Sequence, residues 1–98
     1  MSLTPRQRQF LKGLAHSLAP VVRVGKGGVS AAVIEETKKS LEAHELIKVR
    51  IDADEAGSRH ELAETLAAAT ASDIAGEIGK TAILYREREE KPRIKLPK

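Results

Sequence analysis

Pro20-Val21-Val22-Arg23-Val24-Gly25-Lys26-Gly27-Gly28-Val29-Ser30 reads as a short β-branched strand that breaks into glycines and then opens a helix. Three glycines around one lysine leave a segment with almost no side-chain bulk, so another backbone can approach closely and several N–H groups can point outward. A helix beginning at Ser30 adds its unpaired N–H groups and the positive end of its dipole beside Lys26. Taken alone, the stretch is as much a sharp strand-to-helix turn as an anion site, and its surroundings must decide.

Downstream, Ser30 is placed to cap the helix, and Val29 and Ile34 are spaced to staple its start. Val33, Ile34, Thr37 and Leu41 form its expected inner face, and Lys38 and Lys39 point outward. Leu46-Ile47-Lys48-Val49-Arg50-Ile51-Asp52 is the clearest strand, with Ile47, Val49 and Ile51 on one face and Lys48, Arg50 and Asp52 on the other. Strand, helix and strand in this order predict a right-handed parallel crossover. The glycine loop then lies at the C-terminal edge of the first strand, where open α/β sheets bind ligands.

Upstream, Thr4-Pro5-Arg6-Gln7 predicts a helix start with a capping box, and Phe10, Leu11, Leu14 and Leu18 predict a buried stripe. Arg8 and Lys12 share another face, and Pro20 is expected to end the helix. Beyond the second strand, Ser58-Arg59-His60-Glu61 suggests another capping box. Leu62, Ala63, Leu66, Ala69 and Thr70 would line one side of that alanine-rich helix, whose acids Glu61 and Glu64 place it away from any polyanion. Ile74–Ile78 and Thr81–Arg86 flank Gly79-Lys80, a hairpin pattern in which Gly79 suits a type II′ turn. The predicted fold is α/β, in the order α-β-α-β-α-β-β, with a four-stranded mixed sheet packed against helices. Residues 1–86 form one domain, and residues 87–98, charged and interrupted by Pro92 and Pro97, read as a mobile tail that orders on a partner.

A chain of 98 residues, 41% apolar, supports one modest core. Phe10 and Tyr85 are its only aromatics, which argues against a binder built on base-stacking platforms and against a ring-walled cofactor pocket. There is no cysteine, hence no disulfide, thiolate metal site or cysteine nucleophile. No apolar run reaches ~18 residues and no signal-peptide pattern opens the chain, so a soluble cytoplasmic protein without membrane contact is expected. The net charge of +3 is segregated: residues 1–34 carry +5 with no acid, residues 51–79 carry −6, and residues 80–98 carry +4. Such a chain can present a basic face, which attracts polyanions.

Catalytic patterns fail on inspection. Gly79-Lys80-Thr81 resembles the end of a nucleotide-binding phosphate loop, but position 74 is Ile where a glycine is needed, and a strand follows instead of a helix. Gly25-Lys26-Gly27-Gly28 misses the dinucleotide fingerprint because Ser30 stands at its sixth position. His16, His44 and His60 lie in or beside different helices with no second histidine at ligand spacing, and the carboxylates lack an apolar setting. No enzyme activity, metal, cofactor or small-molecule substrate is expected. What remains is nucleic-acid binding through Lys26, the loop amides and nearby cations, with affinity dominated by phosphate contacts. Structured RNA, read by shape and backbone, suits so few aromatics better than splayed single strands.

At these residues the chain resembles the CRM domain family (chloroplast RNA splicing and ribosome maturation), in particular the stand-alone bacterial YhbY-like proteins. The resemblance rests on Leu3–Leu18 as leading helix and on Val24-Gly25-Lys26-Gly27-Gly28-Val29-Ser30 as the family's G-x-x-G loop. His44-Glu45-Leu46-Ile47-Lys48-Val49, Ile78-Gly79-Lys80-Thr81, Leu84-Tyr85-Arg86 and Ile94-Lys95-Leu96-Pro97 extend it in order over essentially the whole chain. It implies a fold similar to the C-terminal domain of translation initiation factor three, and RNA binding through Gly25, Lys26, Gly27 and Gly28. It also implies a flanking basic surface on Arg6, Arg8, Lys12, Arg23, Lys48 and Arg50, and association with ribosomal RNA in precursors of the large subunit. A monomeric, non-enzymatic ribosome assembly factor is the expectation; the alternative is a protein-interaction module whose basic face meets an acidic protein.

Overall fold

The computed structural model describes residues 3–98, so Met1 and Ser2 of the expected 1–86 domain lie outside the described residues. The elements run α1 (Pro5–Ala15), β1 (Pro20–Val24), α2 (Ala31–His44), β2 (Leu46–Ile51), α3 (Ala56–Thr70), β3 (Asp73–Ile78) and β4 (Thr81–Tyr85). One four-stranded sheet has the order β1-β2-β4-β3. β1 is parallel to β2, while β4 is antiparallel to both β2 and β3. The fold is therefore the α/β arrangement with a mixed sheet that the periodicities predict.

Side-chain alternation along the strands sorts the core into two layers. Val22, Val24, Ile47, Val49, Ile51, Ala82 and Leu84 meet Leu41 of α2 and Ala63, Leu66 and Ala67 of α3 on one face. Leu46, Ala75, Ile83 and Tyr85 meet Leu11 and Ala15 of α1 on the other, with Leu3, Ile94 and Leu96 closing that layer. Each large aliphatic side chain buried in this way contributes about 1.5–3 kcal/mol. β2 is thus not one-sided as its pattern suggests, because Leu46 is buried on the face that carries Lys48 and Arg50.

Local signals hold at most element ends. Thr4 accepts from the Gln7 backbone N–H while the Gln7 side chain accepts from that of Thr4, completing the first capping box. Ser30 caps α2, and Val29 and Ile34 both pack on the core. The hairpin turn is Gly79-Lys80, with positive φ at Gly79 and not at Lys80, as a type II′ turn requires.

Four local expectations need correction. Of the stripe assigned to the core, only Leu11 is buried; Phe10, Leu14 and Leu18 are 39%, 44% and 39% exposed. α1 lies chiefly over β3 and ends at Ala15, so Pro20 starts β1 instead of stopping the helix. α3 begins two residues before Ser58, with Glu55 at its cap position and no side-chain capping bond. On α3, Ala67 replaces Ala69 in the inner face: the buried residues Ala63, Leu66, Ala67 and Thr70 follow i, i+3, i+4, i+7 spacing, which leaves Ala69 exposed.

Residues 87–98, read from sequence as a tail, contain no helix or strand and lie against the domain. Their fastening point is Glu45, fully buried between α2 and β2 at φ +64. Its carboxylate accepts from the backbone N–H groups of Arg88 (2.9 Å), Arg93 (2.6 Å) and Ile94 (2.9 Å). Gln7 adds a bond from its side-chain amide to the Pro97 carbonyl at 3.0 Å. Burial alone would push the Glu45 carboxyl up, but the three N–H donors and the charge of Arg88 outweigh it and hold the group below the ordinary glutamate value.

A group with a depressed folded-state value contributes fully above the unfolded value and loses that contribution as pH falls through the folded one. The tail should therefore loosen only in acid, below the ordinary glutamate range. Glu45→Ala, which strands three part-buried donors, should cost about 2 kcal/mol in denaturant unfolding. It should also speed hydrogen exchange at the Arg88, Arg93 and Ile94 amides, and unchanged exchange there would contradict the anchoring role.

Candidate nucleic-acid interface

The glycine loop is an exposed turn between the end of β1 and the mouth of α2. Gly28 N–H donates to the Gly25 carbonyl at 3.0 Å, and Ser30 N–H donates to the Gly28 carbonyl at 3.0 Å. The Ser30 hydroxyl accepts from Val33 N–H at 3.2 Å. The turn thus consumes two of the amides that sequence alone leaves free. Among the described residues, the N–H groups of Lys26 and Gly27 have no protein acceptor, nor do those of Ala31 and Ala32 in the first turn of α2. Four donors and an exposed lysine therefore surround one helix N-terminus, a concentration of positive potential.

The glycines differ in what requires them. Gly28 has φ +69, where a side chain is strained. Gly25 and Gly27 have no positive φ, and a Cβ built on either meets nothing within 4 Å. Nothing inside the molecule forbids alanine at these two positions.

Around the loop, the structure gathers some expected cations and separates others. Arg23 on β1 is the register partner of Arg50 on β2, and Lys48 lies on the same face of the sheet. Both arginines converge on Asp52, Arg23 through Nε to one carboxylate oxygen and Arg50 at 2.9 Å to the other. These bonds, that from Arg23 foremost, hold the Asp52 carboxyl below its usual range. Asp52 in turn donates its N–H to the Val24 carbonyl at 2.9 Å, which fixes it beside the loop. Lys48 reaches the His16 carbonyl at 3.4 Å.

The helical cations lie elsewhere. Lys12 runs along β3, the opposite edge strand, where a Cβ on Gly76 would come within 2.5 Å of its Cε. Arg6 and Arg8 sit in the first turns of α1, Arg8 donating to the Leu3 carbonyl at 2.7 Å and its neighbour Gln7 holding the tail. Sequence reasoning passed over two residues. Lys80, rejected with the phosphate-loop pattern, sits in the hairpin turn at the loop's end of the sheet, because Ile51 N–H donates to its carbonyl at 2.7 Å. Asp52, which the strand pattern places on one face with Lys48 and Arg50 and the charge count places in the acidic stretch 51–79, lies one residue past β2, at that same end.

The other candidates remain accounted for by structure. His60 is exposed and bonded to Glu77 (2.6 Å) and Glu64 (2.8 Å), which raises its pKa, Glu77 being the larger influence. This pairing ties α3 to β3 on the face away from Arg23 and Lys48. Among the described residues there is no cluster of metal-ligating side chains, and no helix is long and apolar enough to cross a membrane.

Residues 3–86 match the CRS1/YhbY (CRM) domain. The chain belongs to that family. It is 40% identical over 95 residues to the "Probable RNA-binding protein YqeI" of Bacillus subtilis, covering 97% of this chain and 99% of that one. It is 37% identical over 97 residues to an "RNA-binding protein" of Haemophilus influenzae, covering 99% and 97%. The solution structure of a hypothetical Staphylococcus aureus protein, for which RNA binding has been suggested, superposes with a TM-score of 0.87 at 40% identity, over 97% of this chain and 99% of that one. The fold is thus common to this chain and that structure.

The different demands on the glycines are measurable. Gly25→Ala and Gly27→Ala should leave stability unchanged or raise it by about 0.4–1 kcal/mol, whereas Gly28→Ala should lower it by about 1 kcal/mol. Equal destabilisation by all three in thermal unfolding would mean that the turn itself needs them.

Proposed function

We propose that this CRM protein binds RNA by its backbone, with the Gly25–Gly28 turn seated against phosphates and Lys26 supplying the nearest charge. The reading is carried by one observation: Gly25 and Gly27 lie in an exposed turn at a helix mouth where nothing internal demands glycine. The free amides of the turn and of α2 donate to phosphate oxygens, and Arg23, Lys48, Arg50 and Lys80 extend the positive track. Arg6, Arg8 and Lys12 form a second, separate set of cations that a large RNA reaches only by spanning the face of α1. The relatives' names support RNA as the partner. We assign the target to ribosomal RNA in large-subunit precursors, with the protein a cytoplasmic, monomeric, non-enzymatic assembly factor.

Lys26→Glu should weaken binding to ribosomal RNA about tenfold at ~0.1 M salt and flatten the dependence of log K on log salt by one to two units. Unchanged affinity in filter binding would remove the loop from the interface. Asp52→Asn releases two arginines and should tighten binding about fivefold at low salt. Weaker binding by this variant would mean that Asp52 positions the arginines instead of competing with phosphate for them. If cofractionation with ribosomal particles survives nuclease treatment, the partner is an acidic protein and the proposal fails.

A further inference from the structure

Phe10, Leu14, Leu18 and Val21 form an apolar surface that the core does not use. Leu14, Leu18 and Val21, with Ala19, His44, Leu46 and Ile47, line an open notch of about 400 Å³ between the end of α1 and the start of β1. Its walls contain no carboxylate. Exposed apolar clusters of this kind mark binding sites. Val21 also stands outside the ladder, since the β1–β2 register shifts between Pro20 and Val22.

The notch is continuous with the cationic track. Val21 and Arg23 point to the same face, two residues apart along the strand, or about 7 Å, and Gly25 follows two residues later. Lys48, which lies beside the notch, reaches the His16 carbonyl that follows α1. Apolar notch, arginine and glycine loop therefore succeed one another along β1 over about 13 Å.

We propose, building on the RNA-binding reading, that this notch receives an unpaired base of the RNA whose backbone is held by the loop. The apolar walls take the face of the base, and Arg23 and Lys48 take the flanking phosphates. The preferred ligand is then RNA with a bulged or looped nucleotide a few positions from the phosphates at Gly25–Gly28, not continuous duplex. Two other occupants fit less well. A strand added to the free edge of β1 would meet Pro20, which has no N–H, and a register shift one residue later. A second copy would set Arg23 and Lys48 against their own counterparts.

The test places a photo-crosslinking benzoylphenylalanine at Leu18, at Val21 and, as a loop reporter, at Ala32, each in the full chain in growing cells. Expected are nuclease-sensitive adducts at all three sites, those at Leu18 and Val21 mapping to an unpaired nucleotide near the one captured at Ala32. RNA adducts at Ala32 alone would overturn the notch assignment and leave RNA binding intact. Nuclease-resistant protein adducts at Leu18 and Val21 would overturn it in favour of a protein partner. Absence of RNA adducts at every site would overturn both readings. In vitro, a blunt RNA duplex with one bulged nucleotide should bind about five- to tenfold more tightly than the same duplex without the bulge, and Leu18→Gln should remove most of that preference. Equal binding of the two duplexes by the unaltered protein would also refute the proposal.

Discussion

Alternation along β2 is the constraint from which the rest follows. Ile47, Val49 and Ile51 must be dry against α2 and α3, so Lys48 and Arg50 have to surface on the opposite face. A one-residue slip would bury two cations and expose three aliphatics, so the register is firmly specified. The same register sets Arg50 beside Arg23 and brings the end of β1, the end of β2 and the Gly79-Lys80 turn to one edge of the sheet. Hydrogen bonds from Asp52 to Val24 and from Ile51 to Lys80 fasten that edge. The placement of the cations is thus a consequence of making the core.

The second face of the sheet is covered unevenly. α1 lies chiefly over β3, and the C-terminal residues are pinned beside it through Glu45. This leaves the β1–β2 half of the face open, with aliphatic side chains at one end and arginines at the other. Full coverage would have buried Leu14 and Leu18 as their spacing suggests, but it would also have had to desolvate Arg23 and Arg50, at a cost several times that of exposing two leucines. The partial coverage and the exposed apolar stripe therefore have one cause.

Sequence carried far where local chemistry decides. Thr4, Ser30 and Gly79 each announce a cap or turn through a bond or φ value that their neighbours complete, and the structure places all three as read. The strands of β2 and the hairpin were legible because period two and a glycine turn have few competing explanations. What sequence could not resolve depended on packing at a distance. Periodicity identifies Phe10, Leu14 and Leu18 as one stripe, yet only the position of α1 over β3 determines that Leu11 faces the core and the stripe does not. Ser58 fits a capping pattern, but α3 starts at Ala56, with the Arg59 N–H already bonded to the Glu55 carbonyl at 3.0 Å and the Arg59 side chain bonded to the Ala53 and Asp54 carbonyls of the loop before it. Glu45 looked like any helix-end acid; its role depends on residues more than forty positions later.

A net charge of +3 is small for the proposed polyanion partner, and the layered fold explains why it suffices. α3 carries Glu61 and Glu64, and with Glu77 they gather around His60 behind the sheet. The cations at the loop and on the open half of the sheet lie on the other side. The chain therefore presents a dipole rather than a uniform charge, and a dipole orients as well as attracts. Among the described residues, Asp52 and Asp54 are the carboxylates paired with the forward cations, Asp54 with Lys80 at 3.5 Å and Asp52 through both oxygens with Arg23 and Arg50. The Asp52 charge draws Arg23 and Arg50 together across two strands, so an approaching phosphate must take both guanidinium groups from it, and part of what each contact gains is offset by the carboxylate interaction lost.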